Sequence, residues 1–224
     1  MANDFSFDTI KDFDNHINND NHINNSIMGY DLLHNLIINV SEFFIQKESP
    51  LPIIDLGCTS GILLSKLKKK YPFIQCIGYD KTDHNFIDDK EIVLQVKDLT
   101  NKDFTIPNAQ IIYSIFTLQF IPFTFRKKIL TQIYNSLYDN GALFICEKEY
   151  AESAKLQEVY TFANYSNKQQ NFSDEEILKK EKDIRTLMSP LTSQDNRLLL
   201  KESGFTKIGI FFKSLNFTGY ICQK

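Results

Sequence analysis

The sequence predicts an α/β fold. It reads as a Rossmann-like, doubly wound sheet of about seven strands, mostly parallel with a C-terminal antiparallel hairpin strand, plus extra helices roofing the site. Three observations carry this reading. Short β-rich runs alternate with helical patterns from Leu51 onward, an alternation that calls for parallel strands joined by right-handed crossovers. A turn bracketed by Gly57 and Gly61 follows the first run. The last two strand patterns lie too close together in the chain for any connection but an antiparallel hairpin.

The elements follow in order. LPIIDLG (51–57) is a buried-strand run, and ILLSKLKKKY (62–71) then sets Leu63, Leu64 and Leu67 on one helical face. FIQCIGYD (73–80), EIVLQV (91–96) and AQIIYSIF (109–116) are the second, third and fourth strands. The helical RKKILTQIYNSLY (126–138) leads through a turn at DNG (139–141) into a fifth strand, ALFICE (142–147). From about Tyr150 to Pro190 the pattern is mostly helical, with a capping-box start at Ser173 and Glu176 and i,i+4 pairs Glu175/Lys179 and Glu176/Lys180. Thr192 and Asp195 begin another helix that ends near Gly204. TKIGIFF (206–212) and NFTGYICQ (216–223) close the chain as a hairpin across Lys213, Ser214 and Leu215. The expected organisation is a helical cap segment over 1–50 and a main domain over 51–224, with a helical insertion at about 150–190.

Composition bounds the function. A chain of 224 residues, 42% apolar with 19 Phe and 10 Tyr, has ample material for a packed core. A net charge of −3 lacks the basic excess of a protein whose main partner is nucleic acid, so no direct nucleic-acid contact is expected. No apolar run approaches the ~20 residues of a membrane span. The start, MANDFSFDTIKDFDNH, has no basic and apolar leader pattern, so a cytoplasmic location and no membrane partner are expected. Cys58, Cys76, Cys146 and Cys222 are scattered with no CxxC pair, as befits reduced cysteines packed as small hydrophobes. The lysine runs KLKKK (66–70) and KKEK (179–182) read as solvated faces. DNHINNDNHINN (14–25) repeats one hexamer, and its His16 and His22 are six residues apart, which is no one-face helical spacing; no metal site is expected.

The chemistry begins at IIDLGCTSG (53–61). Gly57 lets the backbone pass close to a ligand, and the turn amides are expected to point toward it. The dinucleotide fingerprint GxGxxG fails, because Thr59 and Ile62 stand where its later glycines belong. Asp80 closes the second strand 25 residues after Asp55, the place of an acid that accepts bonds from ribose hydroxyls. Asp98 follows the third strand, in reach of an adenine amino group. Three acids lining one crevice suit a positively charged nucleoside without phosphates, which S-adenosyl-L-methionine is.

On these pieces the chain resembles class I S-adenosylmethionine-dependent methyltransferases over 51–224, and more closely the carboxy-S-adenosylmethionine synthase family and its methyltransferase relatives. The matching segments are FD-HI--SI-GY before the sheet, DLGC-S-G, FTLQF (116–120), GAL----EK (141–148) and the final GF-----FF---NF-G. Deleting either hexamer of the repeat leaves one continuous FDNHINNSIMGY, so the repeat reads as a tandem duplication in a surface segment. The resemblance implies that Tyr30 contacts the cofactor, with Gly57, Cys58 and Thr59 at its methionine end, Asp80 and Lys81 at the ribose, and Asp98 and Leu99 at the adenine. Phe116, Asp55 and Gly61 complete the expected cofactor set. It also implies a small-molecule acceptor under the 150–190 helices and self-association, for which VYTFANY (159–165) serves as interface or equally as core.

Two positions depart from the family. Its asparagine before FTLQF is Ile115 here, and its arginine for the extra carboxylate of carboxy-S-adenosylmethionine falls on Glu181 or Asp183, with Lys182 and Arg185 close by. An acid there repels a carboxylate. The expected activity is therefore methyl transfer to a small molecule, with carboxy-S-adenosylmethionine formation from prephenate and cofactor binding without turnover as alternatives. His34, Tyr113 and Glu147 are candidate general bases, His34 reading more readily as a helix-surface residue and Tyr113 as core.

Overall fold

A computed structural model of the chain describes residues 25–83 and 86–224; the repeat histidines His16 and His22 lie outside them. Helix α1 (Tyr30–Ser41) precedes the sheet and turns Leu33, His34, Ile37 and Ser41 inward. Strand β1 (Ile53–Leu56), buried at every residue, runs through the glycine turn into α2 (Ile62–Lys70). Then come β2 (Cys76–Asp80), β3 (Val93–Val96) and β4 (Ala109–Ile115), a single 3-10 turn at Leu118–Phe120, and α3 (Phe123–Ser136). Strand β5 (Leu137–Tyr150) is followed by α4 (Ala154–Lys168) and α5 (Asp174–Arg185), which form the roof. The short β6 (Leu191–Thr192), α6 (Ser193–Glu202), β7 (Lys207–Ser214) and β8 (Phe217–Gln223) complete the chain.

The sheet order is β3-β2-β1-β4-β5-β8-β7, with β6 paired beside β5. Neighbours among β1 to β5 pair in parallel, whereas β8 is antiparallel to both β5 and β7. The order reverses between β1 and β4, and such a switch point opens a ligand crevice beyond the carboxyl ends of the strands. Alternate residues feed opposite faces. Ile54, Ile112, Leu143 and Ile145 pack with α3 and α6 on one side, and Ile53, Ile111, Tyr113 and Phe144 with α1 and α2 on the other.

Both predicted caps form. Ser173 and Glu176 make the reciprocal capping box of α5, and Thr192 accepts the Asp195 amide at the start of α6. The turn expected at 139–141 does not interrupt the strand. Ala109 pairs with Leu137 but Ile111 with Ala142, so the intervening residues form a bulge in β5, with Asn140 at φ 67°. A bulge absorbs surplus residues without ending a strand, and asparagine tolerates left-handed backbone there. The closing hairpin is tighter than expected, because β7 extends to Ser214 and leaves only Leu215 and Asn216 between the strands.

Candidate functional site

The crevice is built from strand ends. Gly57, at φ +76°, sits where any side chain would run into Thr117, and Gly61, at φ +84°, where one would strike Leu94. Glycine alone meets both demands without strain. Thr59 (φ 50°) and Phe116 (φ 58°) hold left-handed backbone despite their side chains, a cost that clusters at functional sites. The turn amides do not point outward as expected. Those of Gly57 and Cys58 donate to the Tyr79 carbonyl at 2.7 and 3.1 Å, that of Thr59 to Asp80 Oδ2 at 2.9 Å, and that of Gly61 to the Cys58 carbonyl. The turn therefore offers none of these four amides as a phosphate cradle, because three of them pin β1's end to β2 and the fourth closes the turn on itself.

Carboxylates dominate what remains. Asp55 is 4% exposed and its Oδ1 has no hydrogen-bond partner. Burial first, and the Asp80 charge second, push its pKa up to about 7. Asp80 accepts Thr59 N–H on one oxygen and Thr82 N–H on the other, at 3.3 Å. Asp98 is capped by the Thr100 amide and hydroxyl and lies 3.6 Å from Lys81 Nζ. Burial alone would raise its pKa, but these partners together hold it below the ordinary carboxylate value. Leu99 packs against the core on the α3 face. Across the crevice the rings of Tyr30 and Phe116 lie 6.5 Å apart and 27° from parallel, and Phe217 meets Phe116 edge-on. Cys58 is buried, which pushes its thiol well up.

The three candidate bases are engaged in structure. His34 is buried rather than on the helix surface, its ring 4.3 Å from that of Tyr30, because α1 packs against α2 and β7 with that face inward. Tyr113 is fully buried and shares a 2.6 Å hydrogen bond with Ser41 of α1, and burial raises its pKa. Glu147 accepts the Leu118 amide at 3.1 Å. Burial pushes its pKa up to about 8, opposed by Arg126 and by the Leu118 and Gln119 amides.

Several residues around the site carried no sequence signal of their own. Arg126, 2% exposed, donates to the Ile121 and Gln119 carbonyls, and Gln119 Oε1 accepts the Lys148 amide at 2.7 Å. Together with Glu147 they clamp the turn after Phe116. Glu149 gathers Ser193, Asn196, Lys213, Thr218 and Tyr220 around one carboxylate. Burial would raise its pKa, but those donors keep it low. The one available hint was the alternation EKEY (147–150), which puts two acids on the same face of a strand.

Beneath the roof lies a cavity of about 170 Å³, walled by Lys148 and Glu149 of β5, Asn164 and Tyr165 of α4, Glu181 and Arg185 of α5, and Asn216. Glu181 is held by Lys168 at 2.8 Å and Lys148 at 3.8 Å. Burial disfavours its charge, but the two lysines outweigh that and depress its pKa. The KKEK run is thus not a solvated face throughout: burial, then Lys168, lowers Lys180 to about 8. On the outer surface of α4, Leu156, Val159 and Phe162 are exposed. The core reading of VYTFANY does not hold for Val159 and Phe162, which α4 leaves on its outer face.

Residues 28–208 match the family model of the methyltransferase domain. The fold agrees with the crystal structure of human N-acetylserotonin methyltransferase in complex with SAM, at TM-score 0.58 and 15% identity over 87% of this chain and 52% of that one. The chain belongs to the methyltransferase-domain family. Within that class it is a member of the family of proteins named carboxy-S-adenosyl-L-methionine synthase. It is 30% identical to the Staphylococcus epidermidis protein of that name, covering 96% of this chain and 94% of the relative. To the Nautilia profundicola protein it is 31% identical, over 85% and 83%. Among the described residues no helix is long and apolar enough to cross a membrane.

Proposed function

We propose that the protein is an S-adenosylmethionine-dependent transferase that methylates a small polar acceptor held beneath the α4–α5 roof. The observation that carries this is the pairing of a glycine turn whose amides are consumed internally with three carboxylates at the ends of β1, β2 and β3. Such a place disfavours phosphate and favours a cation. The residues fit the cofactor: Asp55 Oδ1 is an orphaned buried acceptor, and Gly57, at positive φ and pressed against Thr117, keeps the turn free of a side chain that would bar close approach.

When bound, S-adenosylmethionine would supply a methyl group on a positively charged sulfur, open to displacement of that sulfur by the lone pair of an acceptor. The chain's own residues bind and align. Asp80 and Asp98 receive the ribose and adenine ends, while Tyr30 and Phe116 cover the site. Alignment is the main source of acceleration in such a displacement. Residues 25–50 act as a cap, and the Lys180–Ser26 contact at 3.5 Å ties them to the roof. The exposed face of α4 supports self-association, which light scattering tests.

The second reading is carboxy-S-adenosylmethionine synthesis, favoured by the relatives that bear that name. Arg185 lines the cavity and Glu181 is neutralised by Lys168 and Lys148, which weakens the repulsion expected of an acid there. Yet Glu181 itself occupies the place among these cations that an incoming carboxylate would take, and this favours methyl transfer. Mass spectrometry after incubation with S-adenosylmethionine separates the two. Carboxylated cofactor formed with prephenate alone overturns methyl transfer; S-adenosylhomocysteine formed together with a methylated small molecule supports it.

A further inference from the structure

We infer that the cavity beneath the roof takes a small, net-uncharged acceptor that presents hydrogen-bond donors, O–H or N–H, to Asn164 and Asn216. This rests on the transferase reading above and names the acceptor class for that site.

Asn164 and Asn216 are 3% and 4% exposed, and the Oδ1 of each has no hydrogen-bond partner. Both residues line the same cavity. A buried acceptor left unpaired is costly, and two in one cavity mark a place where a ligand completes the bonding. Asn216 is rigidly placed, since its own carbonyl accepts the Glu149 amide at 2.6 Å.

The charges of the wall do not call for an ion. Lys148 and Arg185 are matched by Glu149 and Glu181, two against two. Both carboxylates are already engaged, Glu149 by five donors and Glu181 by Lys168 and Lys148. The Oδ1 atoms of Asn164 and Asn216 remain as acceptor capacity, which only a donor can use. The volume of about 170 Å³ is close to that of an engineered cavity of ~150 Å³ that binds benzene, so the acceptor, or its reacting end, is about one ring in size. Lys148 of the wall is bonded to Gln119, in the turn after Phe116, which sets this cavity beside the crevice.

Catechol carries adjacent hydroxyls on one ring and is the probe; benzoate, of similar size, carries a charge instead. Titrated by calorimetry into protein saturated with S-adenosylhomocysteine, catechol is expected to bind at least tenfold more tightly than benzoate. Asn164→Leu is expected to cut catechol affinity at least fivefold while raising the melting temperature, because it removes an unpaired buried oxygen. Asn164→Asp keeps an acceptor and is expected to hold catechol within threefold of the parent, which decides the matter if the leucine variant does not fold. Benzoate binding as tightly as catechol, no catechol uptake, or catechol affinity unchanged in Asn164→Leu would each overturn the inference. Failure of the initial S-adenosylhomocysteine uptake would instead sink the transferase reading.

Discussion

The crevice at the ends of β1, β2 and β4 and the cavity under α4 and α5 are neighbours built on opposite plans. The crevice is made of backbone: two glycines at positive φ, two strained non-glycine residues, and amides tied from strand end to strand end. Its side chains are acids placed by strand register. The cavity is made of side chains from elements far apart in the chain, such as Lys148 and Glu181, or Asn164 and Asn216. In the proposed function, the difference separates what must stay constant for cofactor binding from what is free to set the acceptor. A backbone cradle tolerates almost no substitution, whereas a side-chain lining changes chemistry one residue at a time.

Breaking the backbone side of that comparison gives the largest effect. Gly57→Val places a branched side chain at φ +76° against Thr117. It is expected to abolish S-adenosylhomocysteine uptake in calorimetry and to cost about 3 kcal/mol of stability. If uptake survives, the turn is not the cradle. On the cavity side, Glu181→Gln leaves Lys168 and Lys148 without their carboxylate and is expected to cost roughly 3 kcal/mol, read from the urea midpoint. It should also let benzoate bind, while cofactor affinity changes less than twofold. A large loss of cofactor binding in this variant would mean that the two regions are one site.

Asp80→Ala sharpens the crevice further. Hydrogen bonds to a charged group contribute about 1.5–3 kcal/mol, so S-adenosylhomocysteine affinity should fall roughly tenfold to a hundredfold. A twofold change would reduce Asp80 to a loop cap.

The buried acids of the sheet predict a pH response. Asp55 and Glu147 have folded pKa values raised to about 7 and about 8 from ordinary values of 3.8 and 4.5. An acid raised in the folded state contributes stability fully present below its unfolded pKa and lost as pH rises through the folded one. Each group therefore removes about 1.4 kcal/mol per pH unit within its window. Denaturant midpoints should decline between about pH 4 and 8, and Glu147→Gln should flatten that decline. An unchanged slope in the variant would show that Glu147 is charged in the fold. The smallest effect belongs to the roof: Ser173→Ala removes the α5 capping box and should cost about 1 kcal/mol, leaving cofactor affinity untouched.

The two regions were also unequally legible. The glycine turn, Asp80 at a strand end and the Ser173 cap were readable because each depends on residues within a few positions of one another. The direction of the Gly57, Cys58 and Thr59 amides was not, since their acceptors, Tyr79 and Asp80, lie on the neighbouring strand. His34 looked like a surface residue because helical periodicity cannot say how deeply α1 is packed. Asn164 and Asn216 gave no signal at all, for an asparagine whose oxygen is orphaned looks the same in sequence as one in a loop.

Alone, the sequence determined the alternation of strands and helices, the switch point it implies, and the glycine turn with its acids, because local backbone preference and apolar periodicity act over a few residues. Only the tertiary structure decided that the turn amides are spent internally, that Glu181 lies among lysines instead of in solvent, and that two unpaired amide oxygens face one cavity. Those outcomes depend on which distant groups burial brings together and what each must then bond or neutralise.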